Sequence, residues 1–295
     1  MAQAVACLAD GGLVGLPTET VYGLAADATS GRAVARIYEA KGRPSFNPLI
    51  AHVSSMDMAQ RLARFEPLAL ALAERFWPGP LTLVLPLADG SPVHPLVTAG
   101  LPTLALRMPR GPMAEIVDRL GRPLAAPSAN RSGKVSPTSA AHVARSLGNR
   151  VDLILDAGPA KVGLESTILK PEGGTLYLLR PGGLTVEAVS EAIGLPVVSG
   201  QGTSIEAPGQ MQSHYAPEGS VRLNATHVEP GEHLIAFGSA RMAGVAEAAS
   251  VFDLSPTGDL AEAAGNLFAA LTALDRADIT PVSYTHLRAH ETSLH

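Results

Sequence analysis

The sequence has almost no cysteine and few aromatic residues. Cys7 is its one cysteine in 295 residues, which excludes an intramolecular disulfide and any metal site built from several thiolates. A reducing interior is the compartment this suggests, and a cytoplasmic protein is expected. Aromatic residues make up 4% of the chain, with a single Trp, so the core must be built from Leu, Val, Ile and Ala. The interleaved aromatics of a base-stacking RNA platform are missing. No apolar run reaches membrane length: the most apolar stretch, 67–88, is interrupted by Glu74, Arg75 and three internal prolines. Asp10 cuts short the apolar start before it attains the length of a signal peptide. The Gly-Lys-Ser/Thr of a P-loop and the glycine fingerprint of a dinucleotide fold are also lacking.

What remains is an ordinary globular composition, 46% apolar and 17% charged. The net charge of −5 is unevenly spread: residues 1–200 hold 18 Lys+Arg against 16 Asp+Glu, and the remainder holds 4 against 11. A slightly basic first part suits an anionic small ligand, whereas the acidic second part opposes a broad nucleic-acid footprint.

Short apolar runs alternate with helical patterns through the first two hundred residues. Strands are predicted at Leu13–Leu16, Pro48–Val53, Leu81–Leu85, Leu104–Arg107, Val151–Leu155 and Leu176–Leu179. Helices are predicted from the cap Ser30 to Lys41 with Gly42 as stop, and near Met113–Leu120, Ser139–Leu147 and Thr185–Ile193. This is an α/β pattern. Residues 199–220, rich in Ser, Gly, Gln and Pro, read as a linker. Beyond them a strand at His233–Phe237, a helix at Ser239–Ala249, a strand around Val251 and a helix at Asp259–Arg276 outline a second α/β unit. The expected organisation is therefore 1–198, a linker at 199–220, a partial second domain at 221–281 and a tail at 282–295. The tail has no apolar periodicity and resembles a translated sequencing adapter, so it is read as non-native, with the second domain truncated near Val282.

Three segments carry candidate chemistry. Lys41-Gly42-Arg43, followed by Asn47, places two cations in a turn between a helix and a buried strand, where they can face an anion. The loop Ala125–Thr138 crowds small residues around Ser128 and Asn130, with Ser136 and Thr138 behind. Pro17-Thr18-Glu19-Thr20-Val21-Tyr22-Gly23-Leu24 follows the first strand, where open α/β sheets bind ligands. Each has a plain structural reading as well: a helix-end cation pair, an ordinary polar loop, and a strand end at which Tyr22 packs.

Taken in order, these segments resemble the motifs of the threonylcarbamoyl-AMP synthase family, the YrdC-like proteins. The likeness extends through Gly163-Leu164-Glu165-Ser166-Thr167 and Leu179-Arg180-Pro181-Gly182-Gly183. Pro208-Gly209-Gln210-Met211 and His214-Tyr215-Ala216-Pro217 look like the linker of its longer, two-domain branch, with Gln210 as a departure.

The resemblance implies a YrdC-like open twisted sheet with flanking helices and a basic cavity. It also implies a nucleotidyltransferase that converts L-threonine, bicarbonate and ATP into threonylcarbamoyl-AMP and pyrophosphate for tRNA modification. Thr20, His52, Arg107, Ser128 and Ser166 would hold threonine. Arg43, Asn47, Thr103, Asn130, Ser136, Thr138, Arg180 and Tyr215 would hold ATP. Lys41 and Arg43 would supply the catalytic positive charge, Arg107 would meet the threonine carboxylate as the partner a buried cation needs, and Mg²⁺ would come with ATP. The implied partners are the proteins that transfer the threonylcarbamoyl group to tRNA. An RNA-binding or regulatory relative without synthase activity is the alternative. The tail reading predicts that the native genomic frame departs from this sequence near Val282; sequencing across that point, and finding the tail encoded without interruption, would refute it.

Overall fold

A computed structural model of the chain describes residues 1–199, 207–208, 221–223, 225–238 and 242–274, together with the backbone of 282–284. The first unit contains eight helices: α1 (Ala2–Ala9), α2 (Gly31–Lys41), α3 (Met56–Leu62), α4 (Pro67–Phe76), α5 (Pro95–Thr98), α6 (Pro112–Leu120), α7 (Ala140–Leu147) and α8 (Val186–Ile193). Its strands are β1 (Val14–Leu16), β2 (Gly23–Asp27), β3 (Ile50–His52), β4 (Leu81–Pro86), β5 (Thr103–Arg107), β6 (Leu124–Ala125), β7 (Leu153–Ile154), β8 (Thr167–Glu172), β9 (Thr175–Arg180) and β10 (Val197–Ser199). They form one mixed sheet in the order β10-β9-β8-β4-β5-β3-β6-β2-β1-β7. All five residues of β2 and the first five of β4 are buried, so these strands are covered on both faces and read as continuous apolar runs.

Helix limits follow from local chemistry. Ser30 Oγ accepts from Ala33 N at the start of α2, and Gly42, at φ 61°, turns the chain after Lys41. Ser139 and Thr185 cap α7 and α8 in the same way. Tyr22 is fully buried and its hydroxyl donates to the Gly158 carbonyl at 2.7 Å, so the packing role is the one its ring fills.

The second sheet runs β11-β14-β12-β13, from β11 (Val221–Arg222), β12 (His233–Ala236), β13 (Ser250–Asp253) and β14 (Val282–Tyr284), all pairs parallel. Helix α9 (Leu260–Leu274) covers it. The helix expected at Ser239–Ala249 is corrected: its described part, 242–249, holds only a 3₁₀ turn at Val245–Glu247. Gly244, at φ 78°, breaks the helical path there. No helix among the described residues is long and apolar enough to cross a membrane.

The two sheets share a core. Val21 and Val135, from two of the candidate segments, are buried with Ile235, Leu254, Leu267 and Phe268, and Leu164 packs on the same cluster. Gly163 lies directly against α9, where a Cβ would lie 2.4 Å from the Gly265 carbonyl oxygen. Gly163 is also at φ +71°, so both strain and overlap oppose a side chain there. A Cβ on Gly265, by contrast, would meet nothing closer than 3.4 Å.

Gly163→Ala should therefore cost roughly 2–4 kcal/mol from left-handed strain plus overpacking. Gly265→Ala should be neutral or stabilising by up to about 1 kcal/mol through helix propensity. Urea melts of both variants check this, and equal effects would contradict the asymmetry.

Candidate functional site

One edge of the large sheet gathers five strand ends. Because β3 and β5 are parallel, His52 and Arg107 end them side by side as register partners. The antiparallel step to β4 and the parallel step to β8 bring the starts of those strands to the same edge. Arg180, at the end of β9, returns there opposite Ile168. Backbone hydrogen bonds strap the candidate loops around this edge. Leu24 N donates to Pro127 O, Ala129 N to Tyr22 O, Val162 N to Glu19 O and Ser132 N to Lys41 O, at 2.8 Å each.

Between the loops lies a solvent-open cleft. Of the residues expected at the site, Thr20, Arg43, His52, Arg107, Ser128, Ser166 and Arg180 line it. Lys41, Asn47, Asn130, Ser136 and Thr138 are buried behind that lining. Thr103 is not part of the lining; it opens β5, about 13 Å along the strand from Arg107. Tyr215 lies outside the described residues. Of the linker, Pro208 reaches the cleft and its carbonyl accepts from Arg180 at 3.5 Å.

The cations are held differently from one another. Lys41 Nζ donates to the carbonyls of Ser128 and Asn130, at 2.5 Å each, and so anchors the Ser-x-Asn loop. Burial pushes its pKa well below the usual lysine value; Arg43 adds to the effect and Glu165 opposes it. Arg43 donates through Nη2 to Asn47 Oδ1 (2.6 Å) and Pro48 O (2.8 Å), which folds the Arg43–Pro48 turn around it. Burial lowers its pKa to about 10. Asn130 Nδ2 donates to Arg131 O and Lys134 O, so its amide closes its own loop. Thr138 Oγ1 lies 3.3 Å from His142 Nδ1.

Arg107 has an anion beside it within the protein itself. Its Nη2 is 2.8 Å from Glu19 Oε1. The two atoms approach as an ion pair, yet neither completes an aligned hydrogen bond. The rest of the guanidinium is fixed by Nη1 donating to Thr20 Oγ1 (2.9 Å) and Nε to Gly79 O (3.2 Å). Arg180 pairs with Glu165 at 2.6 Å, and the other oxygen of Glu165 accepts from Ser136 at 2.7 Å. Thr82 Oγ1 sits 2.7 Å from Ser166 Oγ.

Glu19, Glu165 and Thr82 were given no role by sequence reasoning. The two carboxylates could have been found by asking what neutralises four neighbouring cations. Thr82, inside an apolar strand, left no local signal.

His52 is 2% exposed and lines the cleft, and its Nδ1 has no hydrogen-bond partner. Burial, reinforced by Arg107, lowers its pKa to about 3 against weaker opposition from the Leu124 and Ile50 backbone. The imidazole is therefore neutral at physiological pH.

A sequence family described as "Telomere recombination", covering the Sua5, YciO and YrdC proteins, matches residues 6–182. A second, described as "Threonylcarbamoyl-AMP synthase, C-terminal domain", matches residues 184–292. The chain belongs to the threonylcarbamoyl-AMP synthase family. Within it, the Pyrococcus abyssi threonylcarbamoyl-AMP synthase is 43% identical over 292 residues, covering 92% of this chain and 84% of that protein. The Bacillus subtilis threonylcarbamoyl-AMP synthase is 46% identical over 242 residues, covering 80% and 69%. The crystal structure of P. abyssi Sua5 complexed with L-threonine superposes with a TM-score of 0.86 at 39% identity, covering 97% of this chain and 88% of that one.

The depressed pKa of His52 gives a signed prediction. With the unfolded value near 6.5 and the folded value about 3, its contribution is fully present above about pH 6.5. It is lost as pH falls toward 3, on the order of 4 kcal/mol in all. His52→Gln should flatten the stability–pH curve between pH 6.5 and 3 in denaturant titrations; an unchanged slope would contradict the assignment.

Proposed function

We propose that this chain is an L-threonylcarbamoyladenylate synthase, acting on L-threonine, bicarbonate and ATP. The observation that carries the reading is the meeting of Arg43, Arg107 and Arg180 with Ser128 and Ser166 in one cleft. Its physical logic starts from a repulsion. Threonine amine and bicarbonate condense to a carbamate with loss of water, and a carbamate oxygen then attacks the α-phosphorus of ATP as the bond to pyrophosphate breaks. Both reactants are anionic, so fixed positive charge in a partly desolvated pocket lowers the barrier to their approach. Positioning supplies the remainder, and no side-chain nucleophile is needed.

In this reading the Thr20, His52, Arg107, Ser128 and Ser166 side of the cleft takes the amino acid. Arg107 supplies the charge that draws a carboxylate, and the neutral His52 ring lies beside it as its register partner. The Arg43 and Arg180 side takes the nucleotide. Lys41 contributes positive potential from behind the Ser-x-Asn loop. Mg²⁺ would come with the triphosphate as part of the substrate and would neutralise part of its charge. The product serves the proteins that place threonylcarbamoyl on the tRNA adenosine next to the anticodon. An RNA-binding role is less well supported, because counterion release needs exposed cations and Lys41, Arg107 and Arg180 are buried.

The test is pyrophosphate release from ATP and bicarbonate with single amino acids. Threonine alone should give turnover; equal rates with serine, valine and threonine would overturn the substrate assignment. Arg43→Ala should lose at least about 100-fold in rate, on the scale of a removed transition-state donor, while melting cooperatively. Near-normal pyrophosphate release by that variant would refute the role of Arg43.

A further inference from the structure

Arg180 has no idle donor. Nε donates to Ser166 O at 3.2 Å, and Nη2 to Ser166 O at 2.9 Å and Ser166 Oγ at 3.1 Å. Nη1 meets Glu165 Oε2 at 2.6 Å and, more distantly, Pro208 O. The guanidinium is thus pinned on both edges, on one by Ser166 and on the other by Glu165. Glu165 spans two segments: one oxygen takes Arg180 at the end of β9, and the other takes Ser136 from the Ser-x-Asn loop at 2.7 Å. Its charge also acts on Lys41, Arg43 and Arg107. Glu165 is therefore the carboxylate common to the three arginines that line the cleft and to Lys41 behind them, 7% exposed and 2.6 Å from the nearest.

We infer that Glu165 is a positioning residue: it holds the guanidinium of Arg180 and the hydroxyl of Ser136 in one fixed arrangement around Ser166. The inference rests on the adenylate-forming reading given above for what that arrangement then does. Without the carboxylate, like charges press on Arg180 from several sides and one edge of its guanidinium loses its partner, so the group turns toward the open cleft. Removing a negative charge simultaneously makes the cleft more attractive to a triphosphate. The two consequences separate in kinetics: nucleotide is still captured, but it is held against a cation that no longer keeps its place.

Glu165→Gln, nearly isosteric and uncharged, tests this in two arms on the full chain. In the first, arginines are labelled with phenylglyoxal and followed by peptide mass spectrometry without substrates. Arg180 should label at least about tenfold faster than in the parent protein, because its pinned edge is released, while Arg107 stays within about twofold. Unchanged Arg180 labelling overturns the inference, and so does an equal rise at Arg107, which would mean general loosening.

In the second arm, pyrophosphate release is measured with ATP and threonine varied separately. A kcat at least about tenfold lower, without a rise in the ATP KM, is expected for a lost positioning interaction. A kcat within about twofold of the parent, or a loss carried wholly by a raised ATP KM, overturns it. Should the parent protein show no threonine-dependent release, the adenylate reading is what fails, and the labelling arm still decides the role of Glu165. If Glu165→Gln does not melt cooperatively, Glu165→Asp replaces it. Being one methylene short, Asp cannot reach both partners, and Arg180 labelling should rise at least about threefold; no rise overturns the inference.

Discussion

The cleft depends on solving one electrostatic difficulty, the burial of several cations within reach of one another. Arg43, Arg107 and Arg180 line the same space with Lys41 buried behind it, and burial works against the charge of Lys41, Arg43 and Arg107. A buried cation survives only with anions and hydrogen-bond acceptors around it. Glu19 and Glu165 supply the anions, while carbonyls of Gly79, Asn47, Pro48, Ser128, Asn130 and Ser166 supply the acceptors. Four cations against two carboxylates leave the cleft positive, the state in which an anionic ligand completes it.

That balance is possible because the sheet delivers its ends to one place. Alternating parallel and antiparallel steps across β3, β5, β4, β8 and β9 set three strand ends beside two strand starts. Residues far apart in sequence then act as neighbours: Thr82 and Ser166 share a hydrogen bond across 84 positions. Small side chains around Ser128 let the loop lie flat on Tyr22–Gly23, where Gly23 and Ser128 form a bridge.

Strands with uninterrupted apolar runs and helices with capping residues were legible from the sequence, because both signals are local. Ser30 and Gly42 bracket α2, and Leu81–Leu85 lies within β4. β2 was hidden because Gly23-Leu24-Ala25-Ala26-Asp27 is made of small residues with weak strand preference and is set by pairing with β1 and β6. The helix expected before Ala249 failed because one glycine at positive φ outweighed a favourable alanine content. At the site, ordered motifs announced which segments converge, and seven of the expected side chains line the cleft. Which charges face each other could not be read locally. The pairing of Arg107 with Glu19 joins positions 88 apart, and only the sheet topology makes them adjacent.

Gly163 carries a mechanical consequence. At that point backbone rests on backbone, with no side chain whose rotamer could yield. Two residues after this contact the loop becomes Glu165 and Ser166. The second sheet thus bears on the floor of the cleft at a point where neither chain can give way by turning a side chain.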